Sequence, residues 1–211
     1  MELVGERWAI LIIRELMLGG RRFSDIRASL PGISAKVLTE RLERLEALGI
    51  VLRRKLPPPA ASQVYDLTEW GRGLEDVMQA LGRWAVRSPL HNPMLPLTPV
   101  AFMLSLRTMF DPALAEGLAC TIGFEVGDAR FHGLLEDGEL TIEEDDRDGR
   151  APDLFFRAET ANAFLPVFYG KRPLTDPDIT LLAEGDPALV ERFIGIFSLP
   201  EKCAVGEIPD N

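Results

Sequence analysis

Between Ser34 and Leu48 the chain sets Lys36, Val37, Thr39, Glu40, Arg41 and Arg44 on positions that its leucines do not use. These side chain types can read a duplex from a helix lying in the major groove: a guanidinium forks onto guanine or holds a phosphate, a hydroxyl bonds either, and Val37 meets a thymine methyl. A charged helix face alone is more often only a solvated surface. The following residues change that balance. Ile50 to Leu56 is strand-like and contains Arg53-Arg54-Lys55, Pro57-Pro58-Pro59-Ala60-Ala61-Ser62 forms a stiff tip, and Gln63 to Thr68 returns with Tyr65 and Leu67 alternating inward. Such a basic hairpin can graze the minor groove while the helix before it enters the major groove. The candidate DNA-binding set is Arg22, Ser34, Lys36, Val37, Thr39, Glu40, Arg41, Arg44, Arg53, Arg54, Lys55 and Gln63.

Catalytic patterns are missing. His91 lies in a Pro-rich stretch and His132 in a strand-like one, neither with a partner at metal or triad spacing. No GxSxG, HExxH, GxxxxGK[ST] or GxGxxG occurs. The run Glu143-Glu144-Asp145-Asp146-Arg147-Asp148-Gly149 lacks the alternating ligands and closing glutamate of a calcium loop and reads as a solvated hairpin loop. Cys120 and Cys203 form no CxxC, so no disulfide framework, zinc site or cofactor is expected. Cys120 reads as a buried strand residue and Cys203 as an exposed one in a polar tail.

The chain that must position these residues has 211 of them and a formal charge of −10, which taken whole argues against phosphate neutralisation. The average conceals two halves. Residues 1–88 hold 14 basic and 11 acidic side chains, net +3, whereas residues 89–211 hold 9 and 22, net −13. All three Trp precede residue 89 and ten of the eleven Phe follow residue 100, so two domains are expected. The longest uncharged stretch, Ser88 to Leu106, is broken by Pro89, Pro93, Pro96 and Pro99 and reads as a Pro-rich linker over residues 89–97, with no membrane span. Met1 opens directly into a charged amphipathic segment, so no signal peptide and a cytoplasmic location are expected.

In the first half, a mostly apolar helix is predicted from Glu2 to Leu18 with Gly19-Gly20 as its stop. A second follows from Phe23 to Leu30, with Ser24 as N-cap, and a third is capped by Ser34 and runs to Leu48, its leucines 38, 42, 45 and 48 on one buried stripe. After the hairpin, Thr68 caps a final helix through Ser88, with Leu74, Val77, Met78, Leu81, Trp84 and Ala85 on a face wide enough to cover the domain and a second subunit.

The blocks Leu3-Val4-Gly5-Glu6-Arg7-Trp8 through Arg14-Glu15-Leu16, Arg22-Phe23-Ser24-Asp25-Ile26, Gly32-Ile33-Ser34 with Val37-Leu38 and Arg41-Leu42, Leu45-Glu46 with Gly49-Ile50-Val51, and Tyr65 to Gly71 occur in this order. Together they resemble the HxlR-type branch of the MarR-like winged-helix transcription regulators. The resemblance implies a mainly α winged helix-turn-helix domain over residues 1–88, and a homodimer on a pseudo-palindromic operator in double-stranded DNA. It makes Ser34 to Arg44 the recognition helix and Arg53 to Gln63 the wing. Family members commonly carry a Cys near the start; this chain has none there, so thiol sensing at that position is not expected.

The second half predicts an α+β domain. Thr98-Pro99 opens a helix carrying Phe102, Leu106, Met109 and Phe110. Strands follow at Leu118 to Val126, Ala129 to Leu135, Leu140 to Ile142 and Asp153 to Ala158, with turns at Gly127-Asp128 and Asp137-Gly138. A helix from Thr160 to Tyr169, a strand at Ile179 to Ala183 and a last helix behind Asp186-Pro187 complete it. Ala158-Glu159-Thr160 and Gly185-Asp186-Pro187-Ala188-Leu189 resemble the sterol-carrier-protein-2-like domains. That resemblance implies, over residues 98–199, a sheet with helices on one face and an apolar tunnel. Phe102, Leu106, Phe110, Phe124, Phe131, Phe164, Phe168, Phe193 and Phe197 are then candidate ligand-binding residues for an apolar small-molecule effector, although the same residues can simply be core. Residues 200–211 read as a tail. The expected function is a non-enzymatic transcription regulator, a repressor by family habit; the alternatives are a C-terminal domain serving only dimerisation or docking, and a lipid-transfer protein.

Overall fold

Leucine and isoleucine spacing builds three helices before any strand. α1 (Ala9–Glu15), α2 (Phe23–Ser29) and α3 (Ala35–Ala47) precede β1 (Val51–Lys55), β2 (Gln63–Leu67) and α4 (Glu69–Arg72). The computed structural model describes residues 2–56, 62–93, 95–144 and 151–204. The Pro57 to Ala61 part of the hairpin tip and Asp145 to Gly149 of the acidic run lie outside them. Ile12, Ile13, Leu16, Ile26, Leu38, Leu42 and Leu45 are buried together as the core of this region, and burying each such side chain stabilises by roughly 1.5–3 kcal/mol.

Ser34 caps α3 as its sequence predicts, its Oγ accepting the Val37 N–H at 3.2 Å. Three other expectations are corrected. α1 begins only at Ala9, because Trp8 stands at its N-cap with φ 80°, a left-handed conformation that helical backbone cannot continue through. Ser24 does not cap α2; Arg22 holds that position, and the Ser24 hydroxyl donates to Asp25 at 2.8 Å. The helix expected from Thr68 to Ser88 is divided into α4, capped by Thr68, and α5 (Glu75–Val86), with Gly73 ending the first. Gly71 sits so close to the Ile50 carbonyl that any Cβ would overlap it, which fixes α4 against the entry to β1.

The chain divides into two compact units, Met1–Met78 and Gln79–Asn211, and the division falls inside α5. In the second unit Thr98 caps α6 (Pro99–Met109), whose Val100, Phe102, Met103, Leu104 and Leu106 are buried on nearly every side. A five-stranded sheet follows, in the order β5-β4-β3-β6-β7. Its strands are β3 (Cys120–Val126), β4 (Ala129–Glu136), β5 (Glu139–Glu144), β6 (Leu154–Ala158) and β7 (Leu182–Glu184), with β3 and β6 parallel and the other pairs antiparallel. Asp137 and Gly138, at φ 52° and 76°, make the tight turn from β4 to β5 that this dipeptide favours.

The helix expected from Thr160 to Tyr169 is a 3-10 turn over Ala161–Phe164 followed by α7 (Leu165–Phe168), because Pro166 lacks the N–H that a continuous α-helix would donate to the Asn162 carbonyl. The strand expected from Ile179 is confined to β7, where Leu182 to Glu184 pair with Phe155 to Arg157. Asp186 caps α8 (Pro187–Gly195) through the Ala188 N–H at 2.8 Å. Lys171, just beyond α7, donates to the carbonyls of Phe168, Ile194 and Phe197 at 2.9, 2.6 and 2.6 Å, tying the ends of both helices. On the sheet face away from the helices, Glu125 of β3 bridges Arg130 of β4 and Arg157 of β6 at 3.3 and 2.8 Å.

Candidate nucleic-acid interface

The stripe Leu38, Leu42 and Leu45 anchors α3 in the core, which turns Lys36, Thr39, Glu40, Glu43 and Arg44 to solvent. Glu43 is on this face too; its position one turn after Glu40 and Thr39 was the signal for it. Lys36 is 86% exposed and lies 4.0 Å from Glu40 one turn on. Val37 is half-buried on the flank. Arg41 is not on the open face: its side chain is only 26% exposed and its NH1 donates to Glu6 at 2.5 Å.

The opposite flank of α3 carries Glu46, which holds Arg53 of β1 at 3.0 Å. Arg53 also lies over the ring of Tyr65, its cross-strand neighbour, with 5.2 Å to the centroid. Arg54 points to the other side of the hairpin, where Asp66 accepts from it at 2.7 Å, from Arg72 of α4 at 2.6 Å and from the Leu67 N–H at 2.8 Å. Asp66 is buried, and two guanidiniums plus one amide satisfy its carboxylate. Lys55 and Gln63 pair across the hairpin near its tip, both exposed. Arg22 is exposed and donates to Ser62 at 3.1 Å.

The strand pair is widened by one residue that the sequence pattern does not reveal. Arg21 exchanges backbone hydrogen bonds with Tyr65, each 2.8 Å, and so joins the segment before α2 to β2. Its side chain reaches buried Glu15 at 3.2 Å, which Arg14 also holds at 2.8 Å. Charge therefore serves two purposes here. Arg21, Arg54 and Arg72 join elements, while Lys36, Arg44 and Lys55 form no ion pair shorter than 4.0 Å among the described residues.

The second candidate set lies in the other unit. Phe102 meets Phe164 at 4.7 Å and Phe168 at 5.7 Å, and Phe193 meets Phe124, Phe156, Phe168 and Phe197 at 5.2 to 6.4 Å between centroids. Leu106 and Phe131 are buried as well, and Phe110 is half-buried beside Phe197. Phe156, which touches Phe124, Phe168 and Phe193, belongs with them; its alternation with Leu154 and Ala158 in β6 was the available signal. At the edge of this cluster the Tyr169 hydroxyl and Ser105 share a 2.7 Å hydrogen bond, and burial pushes the phenol well above its ordinary range. The described residues contain no group of three His, Cys, Asp or Glu placed to hold a metal ion, and no helix long and apolar enough to cross a membrane.

Known proteins resemble the N-terminal part of the chain. The HxlR-like helix-turn-helix family model matches residues 3–91. An uncharacterized HTH-type transcriptional regulator of Bacillus subtilis, YvaP, is 38% identical over 85 residues, which span 40% of this chain and 79% of the relative. The HTH-type transcriptional regulator YodB of the same bacterium is 46% identical over 83 residues, spanning 39% of this chain and 74% of the relative. The reduced form of YodB is among the solved structures that match, at 43% identity over 42% of this chain and 87% of that one, with a TM-score of 0.39. On the identity and coverage of these relatives, the chain belongs to the HxlR-like helix-turn-helix family.

Proposed function

We propose that the protein is a DNA-binding transcription regulator, a repressor, acting as a homodimer on a pseudo-palindromic operator. The observation that carries this reading is α3, anchored by three leucines, with Lys36, Thr39, Glu40 and Arg44 open to a groove and Lys55 and Gln63 on the hairpin beside it. Lys36 and Arg44 hold base edges and phosphates, Thr39 and Glu40 add selectivity, and Lys55 with Arg22 meets the backbone. Arg53 and Arg54 support the hairpin through Glu46 and Asp66. The functional division is residues 1–88 for DNA, 89–97 as linker, 98–199 as a sterol-carrier-protein-2-like effector module and 200–211 as tail. The acidic module repels phosphates and adds no affinity for DNA.

In this reading an apolar small molecule enters the Phe-rich module and shifts the population between two dimer arrangements, changing the separation of the two α3 helices. One observation favours a second reading of that module: its rings already contact one another at 4.7 to 6.4 Å, as a core does. There the module serves dimerisation or docking without a ligand. Native mass spectrometry of gently purified protein separates the two: an apolar molecule retained at one per protomer supports the effector reading, and bare protomers that ignore added fatty acid support docking. A mobility-shift titration on the region upstream of its own operon tests DNA binding, which should weaken steeply with salt.

A further inference from the structure

Arg41 is the one basic side chain of α3 turned out of the open face, and three observations say what holds it there. Its NH1 donates to Glu6, thirty-five residues earlier in the chain, while its Nε is buried with no hydrogen-bond partner. Glu6 belongs to the turn segment before α1, which ends at Trp8 with φ 80°. The Trp8 ring lies 3.7 Å from where a Cβ of Gly32 would stand, at the turn that leads into α3. The segment is therefore tied to α3 at mid-helix through Glu6, with the Trp8 ring beside the turn that leads into that helix.

Arg41 follows Val37 by four residues and precedes Arg44 by three, so these three share one side of the helix. A guanidinium on that flank reaches the wall of a groove, where phosphates lie, rather than its floor. Glu6 is 47% exposed, and a carboxylate that open to water holds its partner weakly. A phosphate offers the same fork geometry in a stronger field and would also engage the unsatisfied Nε.

Resting on the DNA-binding reading, we propose that Glu6 is a built-in competitor for the DNA backbone: it occupies Arg41 in the free protein, and on binding Arg41 exchanges Glu6 for a phosphate oxygen. Glu6 is a positioning residue; it touches no DNA and acts through Arg41. It thereby lowers affinity for every duplex alike and leaves discrimination to the open face of α3.

The test titrates the full-length chain into two labelled duplexes of equal length, one from upstream of its own operon and one unrelated, at several salt concentrations. Glu6→Gln should tighten both by the same factor, about 3- to 10-fold at low salt, and leave the slope of log affinity against log salt unchanged, because Arg41 neutralises a phosphate in both complexes. Arg41→Ala should weaken both duplexes and flatten that slope by about 0.9 per protomer engaged, and adding Glu6→Gln to it should change neither affinity nor slope; Glu6→Asp should keep wild-type behaviour. An unchanged slope in Arg41→Ala, a gain from Glu6→Gln that persists in the Arg41→Ala background, or unequal factors on the two duplexes would overturn the exchange while DNA binding itself stands. Salt-insensitive binding by the wild-type chain would sink both readings together.

Discussion

Arg41, Arg53 and Arg54 of the N-terminal unit are each held by a carboxylate, whereas Phe124, Phe156, Phe168 and Phe193 of the C-terminal unit are held by one another. In the first unit, polar joints link elements distant in sequence, while Lys36, Arg44 and Lys55 are among the basic side chains left exposed for a partner. In the second, rings from α6, α7, α8 and the sheet meet in one apolar cluster. A charged joint fixes a direction and can be exchanged for another charge. A ring cluster is non-directional, so a single truncation is felt by all its neighbours.

The largest effect should come from breaking the ring cluster. Phe193→Ala removes a fully buried ring from contact with four others and should cost about 3–5 kcal/mol. Peptide-level hydrogen exchange should show α8, β3 and β6 opening while α3 keeps its protection. Equal loss in α3 would mean that the two units do not carry separate stability. Lys171→Met should come next, at about 1–3 kcal/mol, because three carbonyls lose their donor at once; the denaturation midpoint of the C-terminal unit would report it.

Asp66→Asn tests the polar side of the comparison. Arg54 and Arg72 are both nearly half exposed, so water compensates part of the loss, and about 1–2 kcal/mol of the N-terminal unit's stability should disappear. A midpoint unmoved within error would show that this joint only orients the hairpin. The smallest effect concerns reactivity. Burial, aided by the charge of Asp153, pushes the Cys120 thiol up to about 11, so it stays protonated near neutral pH, whereas Cys203 is exposed. A thiol reagent should therefore titrate one cysteine per native chain and two after unfolding.

Local signals were legible where one or two residues decide a backbone conformation. Ser34, Thr98-Pro99, Asp186-Pro187 and Asp137-Gly138 are each read from neighbours within four positions, and each caps or turns as expected. The α3 leucine stripe is equally local. What sequence could not show was commitment to distant partners. Glu6 meets Arg41 across thirty-five residues, and Arg21 enters the sheet through a backbone bridge that no side chain pattern marks. The candidate lists named residue types suited to DNA and to apolar ligands, yet Arg41, Arg53, Arg54 and most of the phenylalanines already have partners. Trp8 at positive φ was hidden as well, since no local pattern marks a left-handed conformation at a bulky side chain.

The net charge takes on a narrower meaning with the ion pairs in view. Of the basic residues that give residues 1–88 their net +3, several are spent on internal carboxylates, so DNA binding rests on few side chains. The most direct measurement is therefore affinity of the full-length chain for the duplex upstream of its own operon, against salt, before and after replacing Lys36, Arg44 and Lys55 together by alanine. The account predicts steep salt dependence for the wild-type chain and its loss, with most of the affinity, in the triple variant, while thermal stability stays within about 0.5 kcal/mol. Undiminished binding by the triple variant would contradict it.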